Sequence, residues 1–262
     1  MPEIHEILGR RKAFIPYIVA GDPDRPTTLA TMKTLADHGA DVIELGIPFT
    51  DPIADGPTIQ RAAERALQNP FSMADIFQLV RDFRAAGYHE TGLLLMTYAN
   101  PVFAMGIENF VRQAAESGID AALITDLPPE EAADYLSSAR AAGLETVFLA
   151  SPTTSAGRLK TIDVAATAFV YYVARAGVTG TREDLPEDLQ QKLAELRAQL
   201  SNRLAVGFGI SRPEHAVAIA RHADAVVVGS ALVKSFETHT GPDLQSAIAA
   251  FTTRIREALD DS

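Results

Sequence analysis

Apolar residues recur along the chain in two alternating rhythms. Short, nearly unbroken apolar runs fall near residues 14–20, 41–46, 91–98, 120–124, 145–150, 168–173, 203–207 and 224–228. Runs of this length, bounded by turn residues, predict parallel strands buried on both faces. Between them the apolar positions step by three and four. The clearest case is Leu185, Leu189, Leu193, Leu196 and Leu200, the stripe of an amphipathic helix. Residues 3–9 predict a short helix ahead of the first strand, with Ile4, Ile7 and Leu8 on one side. Eight strands alternating with helices over about 250 residues predict an α/β chain. The expected fold is a single-domain (β/α)8 TIM barrel spanning 1–262, with a short N-terminal helix and extra helical segments. A doubly wound open sheet is the competing arrangement.

Local signals agree with that alternation. Gly39-Ala40-Asp41, Gly118-Ile119-Asp120, Gly143-Leu144-Glu145 and His222-Ala223-Asp224 each stand between a helical pattern and an apolar run. A glycine or small residue there marks a helix end, so each reads as helix end followed by strand start. Asp24 can cap the helix that has Pro26 in its first turn. Pro16 departs from an interior-strand pattern and predicts a first strand that is bent or short on one side.

Composition narrows the function classes. Cysteine is absent, which removes disulfides, thiol nucleophiles and Cys-based metal sites, and fits a reducing cytoplasm. The net charge of −11, with no basic block, argues against nucleic acid and anionic membranes as partners. No apolar run approaches a membrane span, and Met1-Pro2-Glu3-Ile4-His5 lacks the charged start and apolar core of a signal peptide. The six histidines, at 5, 38, 89, 215, 222 and 239, show no paired ligand spacing and read as surface or helix-end residues, so no metal is expected. Ser151 and Ser230 have no plausible histidine partner, which disfavours a serine nucleophile.

One stretch breaks the apolar rule. Val42-Ile43-Glu44-Leu45-Gly46 carries a carboxylate inside a strand, and the loop after Pro48 adds Asp51 and Asp55. A buried ionised Glu needs a partner, a raised pKa or a chemical task. In a barrel, residues at strand ends and in the loops that follow share one mouth. Glu44 and Asp55 there could act as general acid and base. The plainer reading pairs Glu44 with an arginine on a neighbouring strand and leaves Asp55-Gly56-Pro57 as a turn. Asp126, after the fourth strand, is a secondary candidate.

Three late segments are rich in glycine: Ala176-Gly177-Val178-Thr179-Gly180, Gly207-Phe208-Gly209-Ile210-Ser211 and Gly229-Ser230-Ala231-Leu232. They follow strands six, seven and eight, where barrels often hold phosphate on backbone amides and a short helix start. The segments contain no Lys or Arg; Arg175, Arg182 and Lys234 are nearby. Residues 175–183 have the makings of a lid, though an ordinary connecting loop reads the same way. Tyr17, Tyr98, Tyr171 and Phe208 fall at or just beyond strand ends, each either core or ligand contact.

The residues resemble one family, the α chain of tryptophan synthase, an indole-3-glycerol-phosphate lyase. The likeness rests on Phe14-Ile15-Pro16-Tyr17 with Gly21-Asp22-Pro23, on the run from Glu44 to Gln60, and on Tyr98-Ala99-Asn100-Pro101. It continues through Asp126-Leu127-Pro128, Arg175 to Gly180, Gly207 to Ser211 and Gly229 to Lys234, in order over essentially the whole chain. The resemblance implies retro-aldol cleavage of indole-3-glycerol phosphate to indole and glyceraldehyde 3-phosphate. It implies Glu44 and Asp55 as the catalytic pair, and Tyr17, Ile59, Tyr98, Tyr171, Thr179 and Phe208 as substrate contacts. Gly180, Gly209, Gly229 and Ser230 are implied as phosphate contacts. Tyr17 stands where some members carry phenylalanine, so its hydroxyl needs a partner. The chain itself is expected to need no cofactor. The implied partner is a pyridoxal-phosphate β chain in an α2β2 heterotetramer, met by the loops carrying Pro48, Asp51 and Pro101-Val102-Phe103. Three other readings stay open: a stand-alone lyase releasing free indole, another phosphate-binding barrel such as a sugar-phosphate isomerase, and a subunit that mainly activates its partner.

Overall fold

The computed structural model describes residues 2–173, 189–207 and 209–262. Eight parallel strands close into a barrel in chain order. They are β1 (Ala13–Val19), β2 (Val42–Gly46), β3 (Gly92–Thr97), β4 (Ala121–Ile124), β5 (Glu145–Ala150), β6 (Phe169–Val173), β7 (Leu204–Gly207) and β8 (Ala225–Val228). The closed order excludes the open doubly wound sheet. Helices fill the connections, and the leucine stripe forms helix Leu189–Gln199 with Leu189 and Leu193 buried. Leu185 lies outside the described residues.

Pro16 sits where pairing changes hands. Residues Ala13 to Pro16 pair with β8, and Tyr17 to Val19 pair with β2. A residue without an N–H is tolerated at such a handover. Asp24 caps helix Arg25–Asp37 by accepting the Thr27 N–H at 2.7 Å.

Side chains alternate inward and outward along each strand. Outward residues such as Ile43 and Leu45 pack with the helices, in one cluster with Phe77, Phe83 and Phe110. Inward residues such as Val42, Leu94, Val147 and Phe169 fill the barrel. Helix Ile4–Arg10 closes its N-terminal end, with Ile4, Ile7 and Leu8 all buried. Burying each of these aliphatic side chains is worth about 1.5–3 kcal/mol. Gly92 leaves the plug room, since a Cβ there would stand 3.1 Å from Ile7 and 3.2 Å from Ile4. A separate cluster of Tyr17, Val19, Ile59, Ala62, Ala66 and Val233 lines the opposite end.

Candidate active site

Glu44 follows from the register of β2. Val42 faces the barrel interior and Ile43 the helices, so period two turns Glu44 inward again. It is 1% exposed, and neither carboxylate oxygen has a hydrogen-bond partner among the described residues. The arginine pairing that the plainer reading required is therefore not present among them. Burial pushes its pKa from 4.5 to about 8, and the negative charge of Asp55 adds to the rise. The Tyr171 hydroxyl beside it favours the ionised form, the smallest of the three influences, without reaching hydrogen-bond geometry. Glu44 is thus a protonated acid at neutral pH.

Asp55 reaches the same space from the loop after β2. Its backbone N–H bonds Pro52 O at 3.0 Å, and its carbonyl accepts Gln60 Nε2 at 2.9 Å. The turn reading of this segment therefore holds. Gly56 then precedes helix Pro57–Ala66, with proline in its first turn. The Tyr98 hydroxyl donates to Asp55 Oδ2 at 3.0 Å and accepts the Ala54 N–H at 3.1 Å. Burial raises the Asp55 pKa and the Tyr98 hydrogen bond opposes it.

Three supports of this loop were not legible as such. Tyr98 stacks on Phe49 with ring centroids 5.2 Å apart. Asp126 accepts the Ala99 N–H at 2.6 Å and so fixes the residue next to Tyr98, a positioning part rather than a reacting one. Asp22, in the turn after β1, takes a bidentate bond from Arg65 at 2.9 and 2.7 Å, which ties the helix after Asp55 to that turn. The pattern signal for Asp126 was its place directly after a strand; for Asp22 and Arg65 there was none.

The other expected contacts sort by position. Tyr17 and Ile59 share the mouth cluster. Tyr171, on β6, lies beside Glu44, and its hydroxyl is held protonated by burial and by both carboxylates. Gly209 follows β7 with φ +36°, exposed and with open space where a side chain would stand. Gly229 follows β8, and Ser230, exposed, opens helix Ser230–Val233. Thr179, Gly180 and Phe208, with Arg175, Arg182 and the expected lid, lie outside the described residues.

Of the residues named for the expected partner surface, Asp51 and Phe103 are exposed while two are buried. Pro48 is buried and Val102 is 0% exposed. Val102 faces the core from helix Ala99–Met105 and cannot offer a contact. The residues that do protrude beside Asp55 and Tyr98 are Ile53, 81% exposed, and Phe103, 54% exposed. At the barrel's opposite end Glu3, His5 and Glu145 gather within 4.8 Å of one another. The Glu145 carboxylate there already accepts the Ile4 and His5 N–H groups, so its role is to anchor the plug helix. A surface groove of 720 Å³ at that end, lined by Glu3, Arg140, Glu145 and Lys160, holds none of the mouth residues.

One buried acid with a raised pKa and one acid on a tyrosine-braced loop share the barrel mouth with the glycine-bearing ends of β7 and β8, an arrangement capable of acid–base chemistry. The family model for the tryptophan synthase alpha chain matches residues 7–259. The tryptophan synthase alpha chain of Pelobacter propionicus is 45% identical over 248 residues, 95% of this chain and 92% of that protein. That of Dechloromonas aromatica is 46% identical over 251 residues, 96% and 93% of the two. Among solved structures, tryptophan synthase subunit alpha from Legionella pneumophila matches with a TM-score of 0.91 at 40% identity, covering 100% of both chains. A chain of the tryptophan synthase α2β2 complex from Pyrococcus furiosus matches with a TM-score of 0.87 at 43% identity, covering 94% of this chain and 98% of that one.

Proposed function

This chain belongs to the tryptophan synthase alpha chain family, and from that premise we propose how its residues cleave indole-3-glycerol phosphate. The products are indole and glyceraldehyde 3-phosphate, and the chain acts as the α subunit in tryptophan biosynthesis. The observation that carries the mechanism is Glu44, buried and without a hydrogen-bond partner among the described residues, where burial pushes its pKa up to about 8.

Breaking the bond between indole C3 and the tail requires C3 to gain a proton first. Glu44 gives it, leaving a carboxylate. Positive charge then spreads to the ring nitrogen, where the ionised Asp55 accepts a hydrogen bond from the N–H. The tail hydroxyl on the carbon attached to C3 loses its proton to Glu44 as the bond breaks. The bonding pair returns to the ring and the carbon becomes an aldehyde. Protons balance, and Glu44 ends as it began. One acid in a dry strand end and one on a wetter loop is the arrangement that separates two roles by environment. The amides around Gly209, Gly229 and Ser230 hold the phosphate and fix the tail. The reaction asks for no cofactor on this chain.

The α2β2 assembly of the Pyrococcus furiosus neighbour supports a β-chain partner here. Ile53 and Phe103, protruding beside Asp55, are the apolar contacts such a partner would cover. The test is indole formation from indole-3-glycerol phosphate, with and without a β chain. Glu44→Gln and Asp55→Asn should each lower the rate at least ~100-fold. Near-normal rates in either variant remove that residue's role, and no indole from the parent with a β chain present removes the function.

A further inference from the structure

Tyr17 carries a polar atom that neither the fold nor the acid–base chemistry accounts for. Its side chain is 7% exposed. Its hydroxyl makes no hydrogen bond to any described residue, although the charges of Asp55 and Glu44 both act on it. A hydroxyl on a side chain this deeply placed meets little water, and a ligand group that bonds it gains accordingly.

The ring's placement is fixed from both sides. β1 lies between β8 and β2. The root of the side chain lies against Gly229, where a Cβ would stand 3.7 Å from Tyr17 Cβ and 3.6 Å from Cδ1. The tip lies over Gly46, where a Cβ would collide with the hydroxyl oxygen. Tyr17 is in register with Glu44, two residues before Gly46 on the same inward face. The ring therefore runs from the strand end assigned to phosphate across to the strand that carries the acid. Asp55 and Glu44, after burial itself, keep the phenol protonated, so it is available as a donor.

An indole ring has no group to meet this hydroxyl except its N–H, which Asp55 takes. The tail does. Phosphate is held at Gly229 and Ser230, and Glu44 takes the proton of the hydroxyl next to indole. The carbon between them carries the second tail hydroxyl, and it is the part of the substrate that spans the interval covered by the Tyr17 ring. We propose that the Tyr17 hydroxyl bonds the secondary hydroxyl beside the phosphate-bearing carbon, making Tyr17 a specificity-determining residue for the tail. The inference rests on the lyase reading above. It differs from the expectation that Tyr17 is only a wall of the indole pocket, a role its ring face can fill at the same time.

The experiment crosses two enzymes with two substrates. Parent and Tyr17→Phe are assayed on indole-3-glycerol phosphate and on the analogue lacking that secondary hydroxyl. Tyr17→Phe should lower kcat/KM about three- to tenfold on the natural substrate, the scale of one neutral hydrogen bond. The parent should lose a similar factor on the deoxy analogue, and the substitution should add less than twofold to that loss. Affinity for indole-3-propanol phosphate, which lacks both tail hydroxyls, should match between the two proteins and so check that the pocket is intact. Equal losses on both substrates would make the hydroxyl structural and overturn the proposal. So would equal rates for parent and variant on the natural substrate. If the parent makes no indole from either substrate, the lyase reading fails first and takes this one with it.

Discussion

Strand β2 has a carboxylate at its foot and another near its top. Asp41, just before the strand, accepts the Phe14 N–H at 2.7 Å and pairs with Arg11 and Arg256, each at 2.8 Å. Glu44, three residues on, has no partner among the described residues. The same division holds around the barrel. Asp120 at the foot of β4 binds Arg84 at 2.6 Å and the Leu93 N–H at 2.7 Å. Asp224 at the foot of β8 binds Arg197 at 3.3 Å, Arg203 at 3.4 Å and the Leu204 N–H at 2.9 Å. Each foot acid ties the start of its own strand to the strand before it. At the mouth, among the described residues, Glu44 is left bare and the Asp55 carboxylate has a single tyrosine. Carboxylates hold strands together at one end and, on the mechanism proposed above, serve proton transfer at the other, the division expected of barrel feet and mouths.

The largest effect should come from breaking a foot pair. Asp120→Ala leaves the buried Arg84 without its carboxylate and should cost about 3–5 kcal/mol, read from urea unfolding. Its kcat/KM per folded molecule should stay within about twofold of the parent. A matching loss of activity would blur the two regions.

Glu44→Gln should do the reverse. Because the fold raises the Glu44 pKa, the folded chain binds the proton more tightly than the unfolded one between about pH 4.5 and 8. That contribution to stability is complete below pH 4.5 and is lost as pH rises to about 8. Glu44→Gln lacks the proton and the loss. Its stability relative to the parent should improve by about 2 kcal/mol between pH 6 and pH 8, at most about 1.4 kcal/mol per pH unit. A constant difference across that range would mean that Glu44 is not held neutral.

The smallest effect belongs to the brace. Tyr98→Phe removes the hydrogen bond that favours ionised Asp55. Activity should fall about three- to tenfold, and the acid limb of the kcat/KM profile should move to higher pH. A rate loss with an unmoved acid limb would make Tyr98 a packing residue only.

The barrel was legible because strands buried on both faces leave near-continuous apolar runs, and because glycine ends helices visibly. Gly39, Gly118 and Gly143, at φ +101°, +98° and +68°, close helices just before β2, β4 and β5. The acids that follow them, Asp41, Asp120 and Glu145, read as strand starts. Their bonding did not, since Asp41 meets Arg256 across 215 positions of chain. Glu44 stood out because a carboxylate among Val, Ile and Leu violates the pattern. The Tyr98 brace, the Asp22–Arg65 tie and the crossing of Tyr17 over Gly46 depend on register and loop path, which no local pattern encodes. Val102 has a related reason: the segment Pro101-Val102-Phe103, which the resemblance implied as a contact loop, lies in helix Ala99–Met105, which turns Val102 into the core.

The division of labour rests on a neutral Glu44 at the mouth. The direct measurement is a ¹³C NMR titration of glutamate-labelled protein, with Glu44 assigned by its absence in Glu44→Gln. The account predicts a carboxyl resonance that titrates near pH 8. A midpoint in the ordinary carboxylate range, near 4.5, would contradict it.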